Sequence, residues 1–225
     1  MKSFERMKEA KETRKTFGKY TIWPYLLFLG LTAAVNAVAV GVLPLADIAR
    51  GQEVTLSPAQ NVFKVCYTIF NAVFVPLMLF GVYRVYLVFA RGQRPAFSVL
   101  FDGFFNFIRV WILFFLKTMM IGIGLMVFVL PGIFFFYSTA LTNFIFSDDE
   151  DMQPWTAISE SFRLMNGNRF RLFQLQLSFL GWFLLVVVTL GLALVYVGPY
   201  YMTALAQFYD EIKEKDLKRA ARSGK

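Results

Sequence analysis

Formal charge is almost absent from four long stretches of this chain. Residues 20–46, 65–83, 110–146 and 172–208 are overwhelmingly apolar, and Lys117 is the one charge among them. A hydrocarbon core about 30 Å thick is crossed by about 20 apolar residues in helical form. The pattern therefore predicts an all-α, multipass membrane helical bundle of about six spans. They are expected near residues 20–45, 62–89, 108–130, 133–146, 170–197 and 200–212. The fourth and sixth are short for a full crossing.

The polar stretches between them predict the connections. Residues 1–19 are charged, with Phe4, Met7 and Ala10 at helical spacing, as in an amphipathic segment on a membrane surface. Asp47, Gly51, Ser57 and Pro58 mark a loop. After the turn Arg91-Gly92-Gln93-Arg94-Pro95, the recurrence of Phe97, Leu100, Phe101, Phe104 and Phe105 predicts an interfacial helix over 96–107. Ser147–Asp151 reads as an acidic turn. A second amphipathic helix follows, with Ile158, Phe162 and Met165 on its apolar side and Glu160 and Arg163 on its polar side. Asn166-Gly167-Asn168 ends it.

Prolines punctuate the spans. Pro76 is expected to kink the second. Pro131-Gly132 is expected to separate the third from the fourth, and Gly198-Pro199 the fifth from the sixth. Val75-Pro76, Leu130-Pro131 and Gly198-Pro199 each open a similar unit of apolar helix and polar connector, which suggests repeated hairpins. The chain thus divides into an amphipathic segment (1–19), a six-span domain (20–212) and a basic tail (213–225).

Charge placement orients this threading. Lys and Arg number 7 in residues 1–19, 4 in 84–109, 3 in 163–171 and 6 in 213–225. Six spans put all four groups on one side, with both termini. The positive-inside rule makes that side the cytoplasm. The net charge of +8 then reflects membrane orientation, and nucleic acid is not an expected partner.

Several motifs carry a family resemblance. They are Leu130-Pro131-Gly132-Ile133, the segment from Ala157-Ile158 through Ser161 to Leu164-Met165-Asn166-Gly167, and Leu177-Ser178-Phe179-Leu180-Gly181-Trp182. Thr189-Leu190-Gly191, Pro199-Tyr200 and Ala206-Gln207-Phe208-Tyr209 continue the series. Together they resemble the bacterial integral membrane proteins of domain-of-unknown-function family 975 (DUF975). The resemblance implies a bacterial inner-membrane location and no assigned activity. A looser similarity to the membrane region attached to some glycerophosphodiester phosphodiesterases implies a lipid-facing role.

The chemistry on offer is sparse. The chain has no His, which excludes His-based catalysis, and its single Cys, Cys66, lies in an apolar run without a base nearby. No catalytic residue, metal ligand or cofactor is expected. The candidates for binding an anion are Lys117, Arg84 and Arg109. Lys117 leads, because an ionisable group within a span is costly. The bland alternative for it is an ion pair with Asp102 or Asp210, or snorkelling to the interface. Pro76, Pro131, Gly132, Gly181, Trp182 and Pro199 are candidate structural positions. The expected function is non-enzymatic support of envelope or transport processes by binding membrane lipid, an amphipathic peptide or a partner membrane protein. A small secondary transporter with a site near Lys117 is the alternative.

Overall fold

A computed structural model describes residues 22–43, 56–149 and 151–223. The expected amphipathic segment 1–19 and most of the loop after residue 45 lie outside the described residues. Among those described, every regular element is helical. They are α1 (Trp23–Val42), α2 (Pro58–Ala90), a 3-10 turn (Phe97–Phe101), α3 (Asp102–Phe105), α4 (Phe107–Val127) and α5 (Val129–Ser138). There follow α6 (Thr142–Asp148), α7 (Pro154–Met165), α8 (Arg169–Ser178), α9 (Leu180–Val188) and α10 (Leu194–Ser223).

Four stretches are long and apolar enough to cross a membrane: α1, α2, α4, and α5 with α6. The pair α8 and α9, bent by 44°, makes a fifth if it is one span. Against the six expected from sequence, α5 and α6 together fill the short fourth position. The sixth is merged into α10.

Polar side chains within α1 and α2 close on their own helices. Thr32 Oγ1 donates to Phe28 O at 2.8 Å and Asn36 Nδ2 to Thr32 O at 2.6 Å. The two helices are tied where Tyr67 donates to Asn36 Oδ1 and Gln60 Nε2 donates to Val42 O at 3.1 Å. Such bonds satisfy groups that a low-dielectric surrounding would leave unpaired. α2 starts on a reciprocal capping box between Ser57 and Gln60, with Pro58 in the first turn. Its 33 residues make a rod about 50 Å long. That length exceeds one bilayer core, and the two ends differ. Val62, Val65, Ile69 and Phe70 are exposed, whereas Leu77, Met78, Phe80, Val82, Val85, Tyr86, Leu87 and Phe89 are buried. Pro76 sits at this changeover without ending the helix.

The core is built around the second half of α2. The interfacial helix expected over 96–107 is instead a 3-10 turn and the short α3, both packed directly on α2. Glycine permits this. A Cβ at Gly81 would lie 1.8 Å from Leu100 O, and one at Gly103 would lie 2.3 Å from Leu77 O. Phe80 meets Phe146 of α6, and Phe144 is flanked by Tyr83 of α2 and Tyr209 of α10. The apolar side of α7 faces this core rather than an open surface: Ile158 and Met165 are buried, and Phe162 packs on Phe134 and Phe135.

Two breaks fall elsewhere than the proline pairs suggested. The α4–α5 turn is at Phe128, in extended backbone, and Pro131 lies in the first turn of α5, where a missing N–H is tolerated. Gly132 serves close approach: a Cβ there would meet Leu125 at 2.3 Å. Pro199 lies inside α10, and the reversal before it occurs at Leu190 and Gly191, with φ of 50° and 91°. Gly198 is again a contact glycine, since a Cβ would lie 2.2 Å from the Tyr25 ring. The expected basic tail is the last part of α10, which stays helical to Ser223.

Glycine contacts separate into two predicted classes. Gly81→Ala drives a methyl into a fixed backbone oxygen and is expected to cost about 1–3 kcal/mol. Gly30→Ala meets open space within a helix and is expected to be neutral or stabilising by up to about 1 kcal/mol. Thermal unfolding of the detergent-solubilised variants checks both. Equal midpoints would show that the 3-10 turn does not rest on α2.

Candidate functional site

The charged residues gather at one end of the core. Asp148, at the end of α6, has a side chain only 10% exposed. Arg91, just past α2, donates to its Oδ1 at 2.6 Å. Tyr209 donates to Oδ2 at 2.9 Å, and Lys213 pairs with the same oxygen. Arg91 also pairs with Asp210 at 2.9 Å. One carboxylate thus joins the ends of α2 and α6 to the middle of α10. Arg91 is held above its ordinary pKa, first by its hydrogen bond to Asp148, although partial burial opposes this.

On the neighbouring face of α10, the same alternation builds a wall. Glu211 accepts from Arg171 of α8 at 2.7 Å and pairs with Lys215. Asp216 accepts from Arg163 of α7, which also holds Glu160; each closest contact is 2.6 Å. Arg163 keeps the Asp216 carboxyl below the usual range by donating to it. Adjacent Asp210 and Glu211 point to different partners, as neighbouring positions on a helix must.

Between these pairs lies a cavity of about 400 Å³. Arg163, Arg171, Lys215 and Arg219 supply four cations to its lining, against Asp216 alone; Leu164, Asn166, Gly167, Asn168 and Ile212 complete it. Glu160 and Glu211 stand behind the guanidinium groups and orient them. Counting all three acids leaves one cation in excess. Among the described residues Arg219 makes no close ion pair, and its charge acts on Asp216 at longer range.

The turn from α7 to α8 forms the cavity's other side. Gly167, at φ 76°, allows the tight reversal. Asn168 leads into α8 but does not cap it. Its Nδ2 donates to Leu164 O at 2.8 Å, and its Oδ1 accepts from Arg171 Nη1 at 2.9 Å. Asn168 therefore positions a cation instead of satisfying the first-turn amides of α8. Those amides carry the positive end of the helix dipole. Arginine forks beside a helix start suit an anion with several oxygens, such as phosphate.

The three cations singled out from sequence lie elsewhere and are not brought together. Arg84 pairs with Asp102 at 3.1 Å. Partial burial raises the Asp102 carboxyl, against the pull of Arg84. Arg109 is exposed in the first turn of α4. Lys117 is eight residues further, about 12 Å along the helix. It is half-buried, and the carboxylates considered for it are taken: Asp102 by Arg84 and Asp210 by Arg91. Of the candidate structural positions, Trp182 stacks near Tyr196 and meets Tyr200 edge-on. Gly181 faces open space.

Residues 125–216 match the family model described as a protein of unknown function, DUF975. Over that stretch the chain is similar to DUF975. No curated protein and no solved structure matches it. The DUF975 stretch contains α5 to α9, the Asp148 junction and every cavity residue except Arg219. Sequence reasoning used the basic blocks at 163–171 and 213–225 only for orientation. The available signal was Lys215, Arg219 and Arg222 at i, i+4 and i+7, one face of a helix. Reading that segment as a tail hid it.

The junction and the outer pairs differ in expected weight. Asp148→Ala leaves Arg91 and Lys213 without their shared carboxylate and is expected to cost about 3 kcal/mol. Glu214→Ala removes only an exposed pair with Lys218 and is expected to cost less than about 0.5 kcal/mol. Chemical unfolding in detergent checks the difference. The Asp216 tie has a pH signature. Because the folded carboxyl titrates below its ordinary value of about 3.9, the tie is complete above that pH and is lost as pH falls further. Hydrogen exchange in α7, corrected for intrinsic rates, should be flat from about pH 8 to 5 and should rise below about pH 4.

Proposed function

We propose that this chain is a non-enzymatic protein of the bacterial inner membrane that holds a phosphate-bearing lipid headgroup in the basic cavity. The observation that carries the reading is the convergence of Arg163, Arg171, Lys215 and Arg219 on one space of about 400 Å³. A phosphodiester has oxygens for two guanidinium forks, and Arg suits such planar, multidentate contacts. The apolar helices nearby supply the setting for the acyl chains, and both basic blocks that build the cavity fall on the side the positive-inside rule makes cytoplasmic. Both chain termini then belong to that side.

A second reading keeps one observation of its own. Lys117 is half-buried within α4, and neither Asp102 nor Asp210 neutralises it. A transporter with a site at mid-membrane would use such a group. The cavity is favoured because it assembles four cations from three helices, whereas Lys117 stands apart from Arg84 and Arg109.

Native mass spectrometry from nanodiscs separates the readings. In discs of phosphatidylcholine with a minor fraction of phosphatidylglycerol, the wild type is expected to retain the anionic lipid selectively. Arg171→Gln with Arg219→Gln should weaken retention by about tenfold or more, as loss of a charged hydrogen bond implies. Lys117→Met should leave it unchanged. Retention lost in Lys117→Met but not in the double variant would move the site to α4. A wild type without selective lipid would overturn headgroup binding.

A further inference from the structure

The reversal between α9 and α10 has an unusual surface. Val187, Val188, Leu190 and Leu192 are 71%, 78%, 95% and 80% exposed. No charged residue occurs from Leu172 to Phe208. A turn that reaches the far headgroups of a bilayer ordinarily offers polar side chains and open amides to water. This one offers neither. Thr189 N–H donates to Leu185 O at 2.9 Å, Leu190 N–H to Val187 O at 3.1 Å and Gly191 N–H to Val186 O at 2.8 Å. Leu192 N–H donates to Thr189 O at 3.1 Å and Leu194 N–H to Gly191 O at 2.9 Å. Ala193 N–H donates to Thr189 Oγ1 at 3.0 Å, and that hydroxyl donates to Leu185 O at 2.8 Å. Six consecutive amides are closed inside the turn, and its one polar side chain takes part in the closure. An unpaired N–H group is costly in hydrocarbon, and residues 189–194 leave none.

Length gives a second, independent measure. Gly198 touches Tyr25 in the first turn of α1, which fixes the two helices at a common level. From Tyr25, α1 continues to Val42, about 25 Å. There it is tied to Gln60, beside the polar cap of α2. From Gly198 back to the turn there are only a few residues, about 10 Å. Any tilt of α10 shortens that reach. The α9–α10 turn therefore stops about 15 Å short of the end of the α1–α2 pair, which is half of a hydrocarbon core of about 30 Å.

We infer that α9 and the start of α10 form a re-entrant hairpin, whose tip contacts acyl chains near the bilayer midplane and does not reach the opposite surface. Its partner is the hydrocarbon of the leaflet that it enters. The hairpin is continuous with α8, which carries Arg171. The hairpin stands on its own amides and length, and does not depend on what the cavity holds.

Site-directed labelling tests it in the full chain, with Cys66→Ala removing the single native thiol. Leu190→Cys and Val188→Cys lie on the exposed tip, and either one suffices if the other folds poorly. Ala59→Cys, at the start of α2, marks the far surface. A membrane-impermeant maleimide applied to oriented vesicles should label Ala59→Cys from one side. It should label the tip variants from neither side until detergent is added. An environment-sensitive fluorophore on the tip should be quenched more by nitroxide deep in the acyl chain than by nitroxide on the headgroup. Labelling of the tip from the Ala59 side would overturn the inference in favour of a full crossing. Labelling from the opposite side would also overturn it, by placing the hairpin outside the bilayer.

Discussion

The Asp148 carboxylate is where three separate parts of the chain are made to agree. Its side chain is nearly enclosed, so its charge is tolerable only with donors in place. Arg91 arrives from the end of α2, and Tyr209 and Lys213 arrive from α10. With these met, the register of α10 against α2 and α6 is set. The aromatic contacts of Phe144 with Tyr83 and Tyr209 follow from the same register. Glu211 and Asp216 then fall where Arg171 and Arg163 reach them. The basic cavity is therefore a consequence of the Asp148 junction: shifting α10 by one residue would rotate its cations away from α7 and α8.

The molecule carries two environments on continuous helices. α2 makes this plain, since its first half exposes apolar side chains and its second half is enclosed by the 3-10 turn, α6 and α10. Several polar groups in the first environment close on their own helices, as Thr32 and Thr189 do, and Asn36 also accepts from Tyr67 across the α1–α2 pair. Charged groups in the second bridge between helices, as Arg91, Arg163 and Arg171 do, while Ser147 and Thr203 still close on their own helices. That contrast follows from the cost of an unpaired polar group where water is absent. Intrahelical closure needs no partner element, whereas a bridge needs a neighbour held rigidly. The proposed headgroup site lies among the bridges, and the proposed re-entrant tip lies among the closures.

Helix identity was largely legible from hydrophobic runs, because a run of apolar residues in helical form needs no tertiary information to be recognised. Boundaries were less so. Pro131 and Pro199 looked like breaks, yet a proline is tolerated in a first turn, as at Pro131, or where neighbouring contacts support the helix, as beside Gly198 and Tyr25. The true reversals, Phe128 and Leu190-Gly191, are marked by backbone angles that no residue type in the first case discloses. Lys117 drew attention as the one charge in an apolar run. The proposed headgroup site instead uses cations that looked like ordinary flanking charge, because their convergence depends on three helices meeting.

By itself the sequence determined the all-helical class, the apolar stretches able to cross a membrane, and the absence of histidine side chains. Each of these is a property of composition and local periodicity. Only the tertiary structure decided which cation meets which carboxylate, and that the last basic segment is a helix bearing one wall of a cavity. It alone showed that Gly81, Gly103 and Gly198 are points of contact, and that the α9–α10 turn ends short of the α1–α2 pair. These are distances between residues far apart in the chain. They are settled by packing, which depends on all the elements at once.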